Sequence, residues 1–316
     1  MGKKGLRILF AANPEIAVPT LTTLHQHFDV VGVLTNTDKP TGRGRKLAPP
    51  AIKVKALELG IPVLQCDRLN SEARDEVEKL NPNFLLSFAC GHYFGPRFLA
   101  LFDKGDANIH PSLLPQYRGP SPIQYTILEQ QKITGISIQR IAKEIDSGDL
   151  LSQMSFELDC TETTASLSEK VAHLVPSFAV TTLKEYEKGL ISEKPQVGDI
   201  THTSLIRKED ALIHWNEAAS LIHASIRAYY PWPKAHTLLD GTPLYITEVG
   251  DIEPLGEYEG LEVGKVVSFN RTKGVGVTTK DGLLYIKKLQ LAQKKEMSVH
   301  DFLNGHPHLL HSTLGE

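Results

Sequence analysis

Between residues 8 and 109, short apolar runs take turns with stretches of helical pattern, and that alternation leaves few architectures open. The runs at 8–12, 30–34, 62–64, 84–88 and 107–109 favour β structure, and segments of helical character at 16–27, 51–59 and 71–80 lie between them. Strands that alternate with helices form βαβ units, whose crossover helices cover a parallel sheet on both faces. Several runs are apolar at every position, as in Ile8-Leu9-Phe10-Ala11-Ala12. A strand buried on both faces reads this way, whereas a half-exposed antiparallel strand alternates. The first half is therefore expected to be doubly wound α/β.

The chain has 316 residues, enough for about two domains of roughly 150 residues each. A helical stretch at 164–188, with a kink expected at Pro176, runs into Glu193-Lys194-Pro195-Gln196-Val197-Gly198-Asp199. Polar segments with Pro and Gly commonly join domains. The expected division is a first domain at 1–190, a linker at 191–208 and a second domain at 209–316. In the second, a helix at 216–229 precedes strand candidates at 244–249, 264–269, 274–279 and 282–287, punctuated by Gly and Asp-Gly turns. Short strands at that spacing suggest a small β-barrel.

Composition removes several classes. Hydrophobic residues at 41% and charged residues at 22% are ordinary globular usage and exclude a disordered chain. The longest apolar runs, such as Phe98-Leu99-Ala100-Leu101-Phe102, fall far short of the roughly 20 residues of a membrane span. Met1-Gly2-Lys3-Lys4-Gly5-Leu6 reads as neither an export nor a lipidation signal. Cys66, Cys90 and Cys160 are odd in number and contain no Cys-x-x-Cys pair, which fits a reducing cytoplasm and gives no metal or redox site. With a net charge of -3, any nucleic-acid binding must rest on local patches. One patch carries Lys39, Arg43, Arg45 and Lys46 against Asp38; the other, at 261–300, carries Lys265, Arg271, Lys273, Lys280, Lys287, Lys288, Lys294 and Lys295.

The first strand is followed by Asn13-Pro14-Glu15 without a glycine, and Gly42-Arg43-Gly44-Arg45-Lys46 lacks a Gly-Lys-Ser/Thr ending. Neither a dinucleotide fingerprint nor a phosphate loop is present. The densest polar cluster, Asn108-Ile109-His110-Pro111-Ser112-Leu113-Leu114-Pro115-Gln116-Tyr117-Arg118-Gly119, starts at the end of the fifth strand candidate, where open α/β sheets bind ligands. The i, i+2 spacing puts Asn108 and His110 on one strand face. An amide donor beside an imidazole suits acyl transfer, in which an oxyanion and a proton must both be handled. The plain alternative is a Pro-framed loop with a hydrogen-bonded core histidine. In Glu144-Ile145-Asp146-Ser147-Gly148-Asp149, a carboxylate either orients His110 or merely supplies turn chemistry. The basic loop at 36–47 is long and Gly-rich for a simple connection; it is either a phosphate contact or a solvated loop. His306, His308 and His311 are expected in a solvated tail rather than a metal tract, and Trp215 and Trp232 in the core rather than in a base-stacking platform.

Taken together, Asn108 to Pro115, Tyr117-Arg118-Gly119, Pro122-Ile123-Gln124 and Asp146-Ser147-Gly148-Asp149 resemble the signature of the 10-formyltetrahydrofolate-dependent formyltransferases. Asp38-Lys39-Pro40 with Gly42 to Leu47, and Arg227-Ala228-Tyr229-Tyr230-Pro231-Trp232-Pro233, resemble the members whose acceptor is methionyl initiator tRNA. The resemblance implies a Rossmann-like formyltransferase domain, a linker and a C-terminal OB-like β-barrel that helps to hold tRNA. It implies Asn108, His110 and Asp146 as the catalytic set, with no metal. It implies folate contacts at Phe88, Ala89, Cys90 and Gly91 and at Ser112, Leu113, Leu114 and Pro115, and tRNA contacts at Lys39, Arg43, Arg45 and Lys46. The expected co-substrate is 10-formyltetrahydrofolate and the expected state a cytoplasmic monomer. Cys90 stands where the family pattern has Tyr, and Ala11-Ala12-Asn13-Pro14-Glu15 where it has Gly-Thr-Pro-Asp/Glu. A formyltetrahydrofolate hydrolase, a sugar-nucleotide formyltransferase and a non-catalytic tRNA-binding protein are the rival readings.

Overall fold

Strand β1 (Arg7–Ala12) is apolar after its first residue and buried along that length, so it belongs inside a sheet covered on both faces. The structure, a computed structural model, describes residues 5–41 and 46–315. These divide into two compact units: residues up to Pro122 with Ile133–Glu157 and Ser168–Ser204, and Ile123–Lys132 with Leu158–Leu167 and the chain from Leu205.

In the first unit, β1 is joined by β2 (Asp29–Thr35), the short hairpin β3 (Lys39–Thr41) and β4 (Lys46–Ala48), then β5 (Val63–Gln65), β6 (Phe84–Phe88), β7 (Asp106–His110), β8 (Ile133–Gln139) and β9 (Leu150–Glu157). The seven-stranded sheet has the order β5-β2-β1-β6-β7-β8-β9. Strands β5 to β7 are parallel, as expected, but β8 and β9 are antiparallel. The connection from β8 to β9 is only residues 140–149, shorter than the dozen or so residues a parallel crossover needs. From Ser152 on, strand β9 alternates half-buried and exposed positions, the pattern of an edge strand with one wet face.

Helix α1 (Val18–His27) has Pro19 in its first turn and buries Leu21 and Leu24. Helix α2 (Ala51–Glu58) buries Ile52 and Ala56. Helix α3 (Ser71–Lys79) is capped by Asn70, whose side chain accepts from the Ala73 N–H at 3.0 Å, a bond worth about 1 kcal/mol. After the short α4 (Pro96–Leu99) and α5 (Pro122–Leu128), α6 (Thr164–Glu187) is a single helix with Pro176 inside it.

The second unit holds β10 (His236–Leu239), β11 (Thr242–Glu253), β12 (Val266–Asn270), β13 (Gly274–Thr278), β14 (Leu283–Leu291) and β15 (Met297–Ser298). Its antiparallel order is β10-β11-β14-β13-β12, with β15 on β14. Among the described residues the end strands β10 and β12 do not pair with each other, so the ladder is open there. On α7 (Ala219–Ala228), Ala219, Ile222 and Ile226 are buried at helical spacing, and the helix packs on β11 and β14.

Trp215 is in this core at 4% exposure and donates Nε1–H to Thr237 Oγ1 at 3.0 Å. Trp232, expected in the core, is 55% exposed. It lies between Pro231 and Pro233 in the turn from α7 to β10, off the buried face of either element. The basic run at 261–300 is partly neutralised, since Lys273 bonds Glu253 and Lys288 Nζ lies 2.6 Å from Glu248 Oε2. The C-terminal histidines are not a free tail: His306 stacks on Phe302 of α8 (Val299–Gly305) at 4.3 Å. Among the described residues no cluster of His, Cys, Asp or Glu suits a metal ion, and no helix is long and apolar enough to cross a membrane.

Candidate active site

Asn108 and His110 lie on one face of β7, opposite Gln139 and Ser137 of the antiparallel neighbour β8. The chain returns from β8 through residues 140–149, and this return delivers Asp146 to the same place. Asp146 Oδ1 accepts from Gln139 Nε2 at 2.8 Å and from Asn108 Nδ2 at 3.3 Å. Its Oδ2 accepts from the Gly119 N–H at 2.8 Å and lies 3.5 Å from His110 Nδ1. Of the two sequence readings of this turn, the one that brings the carboxylate to His110 is therefore the observed geometry.

His110 is buried, and its Nε2 is 2.8 Å from the Tyr117 carbonyl. A carbonyl only accepts, so Nε2 carries the hydrogen. Nδ1 then faces a carboxylate, and only a doubly protonated ring donates to both neighbours. The Nδ1 contact is the longer one and is the easier to exchange for a substrate atom.

Backbone conformation sets these positions. Gly119 has φ of 113°, and a Cβ there would stand 2.7 Å from the Thr203 carbonyl oxygen, so only glycine lets its N–H approach Asp146 in this way. The loop from Ser112 to Gln116 is anchored on β8 and β9. Ser137 Oγ donates to the Ser112 carbonyl at 2.6 Å and accepts from the Leu114 N–H at 3.1 Å. Gln153 Nε2 donates to the Leu114 carbonyl at 3.0 Å. Gln139, which donates to the same carboxylate, was not anticipated, and Gly119 was named only within the Tyr117-Arg118-Gly119 signature, without a role for its N–H.

The sequence-derived folate residues fall at the carboxyl ends of β6 and β7. Phe88, Cys90, Ser112 and Leu114 are buried, Pro115 likewise, and Leu113 is half-buried. Ala89 and Gly91 are exposed and have φ of 51° and 78°. Cys90 takes part in a local network: its carbonyl accepts from Asn13 Nδ2, and its Sγ lies 3.1 Å from His92 Nδ1. His92 Nε2 reaches the Cys66 carbonyl at 2.9 Å. Asn13 Oδ1 in turn accepts from Thr35 Oγ1 and the Asn36 N–H, each at 2.8 Å. The two departures from the family pattern, at 90 and 13, thus meet in one contact that ties the ends of β1, β2 and β6 together.

Burial pushes the Cys90 thiol up to about 12, and only the thiolate attacks disulfide reagents. With a colorimetric disulfide reagent at neutral pH, Cys90 is expected to react last, and only on unfolding. Three thiols reacting at one rate in the folded protein would contradict this.

Of the sequence-derived tRNA contacts, Lys39 and Lys46 are exposed on the β3–β4 hairpin; Arg43 and Arg45 lie outside the described residues. The hairpin base is anchored. Asp38 accepts from Lys53 Nζ at 2.8 and 3.0 Å and from Gln65 Nε2 at 2.7 Å, and the Lys53 bond holds its carboxyl below the usual carboxylate range. Asp67 accepts from Thr37 Oγ1 at 2.8 Å.

Residues 8–183 match the family described as formyl transferase, and residues 205–307 match its C-terminal domain. The chain belongs to the formyl transferase family. Within that family it is 38% identical over 305 residues to the methionyl-tRNA formyltransferase of Borrelia turicatae, covering 96% of this chain and 98% of that one. It is 36% identical over 316 residues to the Treponema denticola enzyme of the same name, again covering 96% and 98%. Among solved structures, the sugar 3N-formyl transferase WlaRD has a similar fold, with a TM-score of 0.63 and 19% identity, over 93% of this chain and 100% of that one. A methionyl-tRNA formyltransferase from Clostridium thermocellum aligns with a TM-score of 0.55 and 16% identity, over 78% and 93%. HypX from Aquifex aeolicus, solved with tetrahydrofolic acid, aligns at 0.61 and 16% over 95% of this chain, which spans 47% of HypX.

Proposed function

We propose that this formyl transferase moves a formyl group from 10-formyltetrahydrofolate to the α-amine of methionine carried by initiator tRNA. The observation that carries the reading is the convergence of Asn108, His110 and Asp146 on one carboxylate-centred network. It is supported by 36–38% identity to methionyl-tRNA formyltransferases over nearly the whole chain.

When bound, the folate supplies the formyl group on its N10. The second N–H of Asn108 Nδ2 and the His110 Nδ1–H donate to the formyl oxygen as the amine adds to the formyl carbon and charge gathers there. Removing one such donor from an enzyme commonly lowers kcat by about 10²- to 10³-fold. The Tyr117 carbonyl keeps the imidazolium oriented through Nε2–H. Asp146 orients both donors and passes the proton lost by the amine toward the departing nitrogen. A new C–N bond forms on methionine, the C–N10 bond breaks, and no metal is required.

The folate would lie against the ends of β1, β6 and β7. Ala89 and Gly91 leave peptide groups open to a flat heterocycle, and Leu113 offers apolar contact. Phe88, Cys90, Ser112, Leu114 and Pro115 would shape the pocket by backbone and packing. Lys39, Arg43, Arg45 and Lys46 would meet phosphates near the acceptor end of the tRNA, residues 209–316 would help to hold it, and residues 191–208 would join that domain to the catalytic one at 1–190. A cytoplasmic monomer belongs to the same reading.

The test is transfer of labelled formyl from 10-formyltetrahydrofolate to methionyl initiator tRNA, with and without tRNA, in the parent and in His110→Ala. Transfer that needs both the tRNA and His110 is the expected result. Arg43→Ala should raise KM for tRNA several-fold while folate binding holds, and affinity should fall steeply with salt, as phosphate contacts do. Formyl release without tRNA points to a hydrolase, transfer to an amino-sugar nucleotide points to a sugar formyltransferase, and tRNA binding without turnover points to a binding protein.

A further inference from the structure

From residue 192 to 200 every side chain is exposed except that of Gln196. In a segment whose composition reads as a tether, one half-buried amide needs a reason. Its Oε1 accepts two bonds from the Arg118 guanidinium, from Nε at 3.1 Å and Nη2 at 2.7 Å. Arg118 only donates, so the oxygen must face it and the amide orientation is fixed. Gln196 Nε2 then donates into the active site, at 2.9 Å from the Asp146 carbonyl, 2.8 Å from the Gly148 carbonyl and 3.0 Å from Gln139 Oε1.

Gln196 thereby holds Asp146 twice. It holds the backbone directly, across the Asp-Ser-Gly turn, and it holds the carboxylate through Gln139, whose Nε2 donates to Asp146 Oδ1. The direct contact is made where Asp146 has φ of 51°, a left-handed conformation that is unfavourable for a residue other than glycine. The flanking backbone is tied to the same two loops. Lys194 exchanges hydrogen bonds with Leu150 at 2.7 and 3.0 Å, the Arg118 N–H donates to the Thr201 carbonyl at 3.0 Å, and the Thr203 N–H donates to the Arg118 carbonyl at 2.7 Å. Arg118 itself stands between Tyr117, whose carbonyl holds His110, and Gly119, whose N–H holds Asp146.

We infer that Gln196 is a positioning residue for formyl transfer, clamping the Asp146 turn against the Tyr117-Arg118-Gly119 loop, and that residues 194–203 form a wall of the active site. The inference rests on the proposed function for its catalytic consequence but not for the clamp itself.

Gln196→Glu separates the two ends of the amide. It keeps the acceptor for Arg118 and replaces the donor by an oxygen facing three acceptors. A misplacement of about 1 Å can lower a rate on the order of 10²-fold, so kcat for formyl transfer should fall 10- to 100-fold while KM for each substrate stays within about threefold. The added charge should move the acid limb of the kcat–pH profile to higher pH, since a like charge beside Asp146 favours the protonated pair. Gln196→Ala should lower kcat without that displacement. Arg118→Lys should have less effect in the Gln196→Ala background than in the parent, because coupled residues are not additive.

Hydrogen exchange of residues 144–150, which needs no acceptor, should quicken in both Gln196 variants. Unchanged exchange, a kcat within twofold of the parent, or a loss that disappears after correction for the folded fraction would overturn the inference. If the parent transfers no formyl to methionyl-tRNA yet exchange quickens, the proposed function falls and the clamp stands.

Discussion

Asp146→Asn is expected to lower kcat for formyl transfer by about 10²- to 10⁴-fold, the range for loss of a positioned acid–base group. The substitution keeps the shape of the side chain and removes its charge. Gln139 Nε2, Asn108 Nδ2 and the Gly119 N–H all donate to this carboxylate. Whichever way an amide turned, its own N–H would meet one of these donors, and a buried polar group left unpaired costs about 1–3 kcal/mol. His110 would lose the anion that faces Nδ1, so the imidazolium would lose its partner at the moment it is needed. Single-turnover rates at saturating folate and tRNA, with a thermal melt of the same protein, check this. A rate within threefold of the parent in a folded variant would remove Asp146 from the chemistry.

The second large effect is expected at Gly148. A Cβ on this residue would lie 2.0 Å from the Arg140 carbonyl oxygen and 2.7 Å from its carbon. Both are backbone atoms in a pair closed by the Arg140 N–H on the Asp149 carbonyl at 2.8 Å. Neither can yield without opening the base of the 140–149 turn. Gly148→Ala should therefore destabilise the protein by about 1–3 kcal/mol, as overpacking does. It should also lower kcat by about 10-fold or more, because Asp146 stands two residues away and catalytic geometry tolerates little displacement. Gly60→Ala is the control: Gly60, unlike Gly148, has a positive φ, of 69°, and nothing lies within 4 Å of its added Cβ, so only the conformational cost of about 1–2 kcal/mol applies. Urea unfolding and kcat of the two variants make the comparison. Equal stability loss with unaltered kcat would sink the packing argument.

The strands of the first unit were readable because burial on both faces leaves uninterrupted apolar runs, as in β1 and β6. The pairing of Asn108 with His110 was readable because a strand repeats every two residues. No direction was read for β8 and β9, although the short 140–149 connection contained the answer. Trp232 was misplaced because a large apolar residue usually marks a core, and two flanking prolines took it off the buried face of any element. Strand β10 was not anticipated: its four residues, His236–Leu239, carry too little periodicity to stand out.

By itself the sequence determined what short-range physics can encode: the βαβ succession, the shared strand face of Asn108 and His110 at the end of β7, the turn at Asp146 and the formyltransferase signature. Only the tertiary structure decided which of these residues meet. Asp146 reaches Asn108 across 38 positions and Gln196 reaches Arg118 across 78. Hydrogen bonds over such separations leave no periodic trace in the residues between them, because their geometry is set by sheet order and loop length rather than by local preference. The segment at 194–203, a tether by composition, is hydrogen-bonded to Arg118 and to the Asp146 turn for that reason.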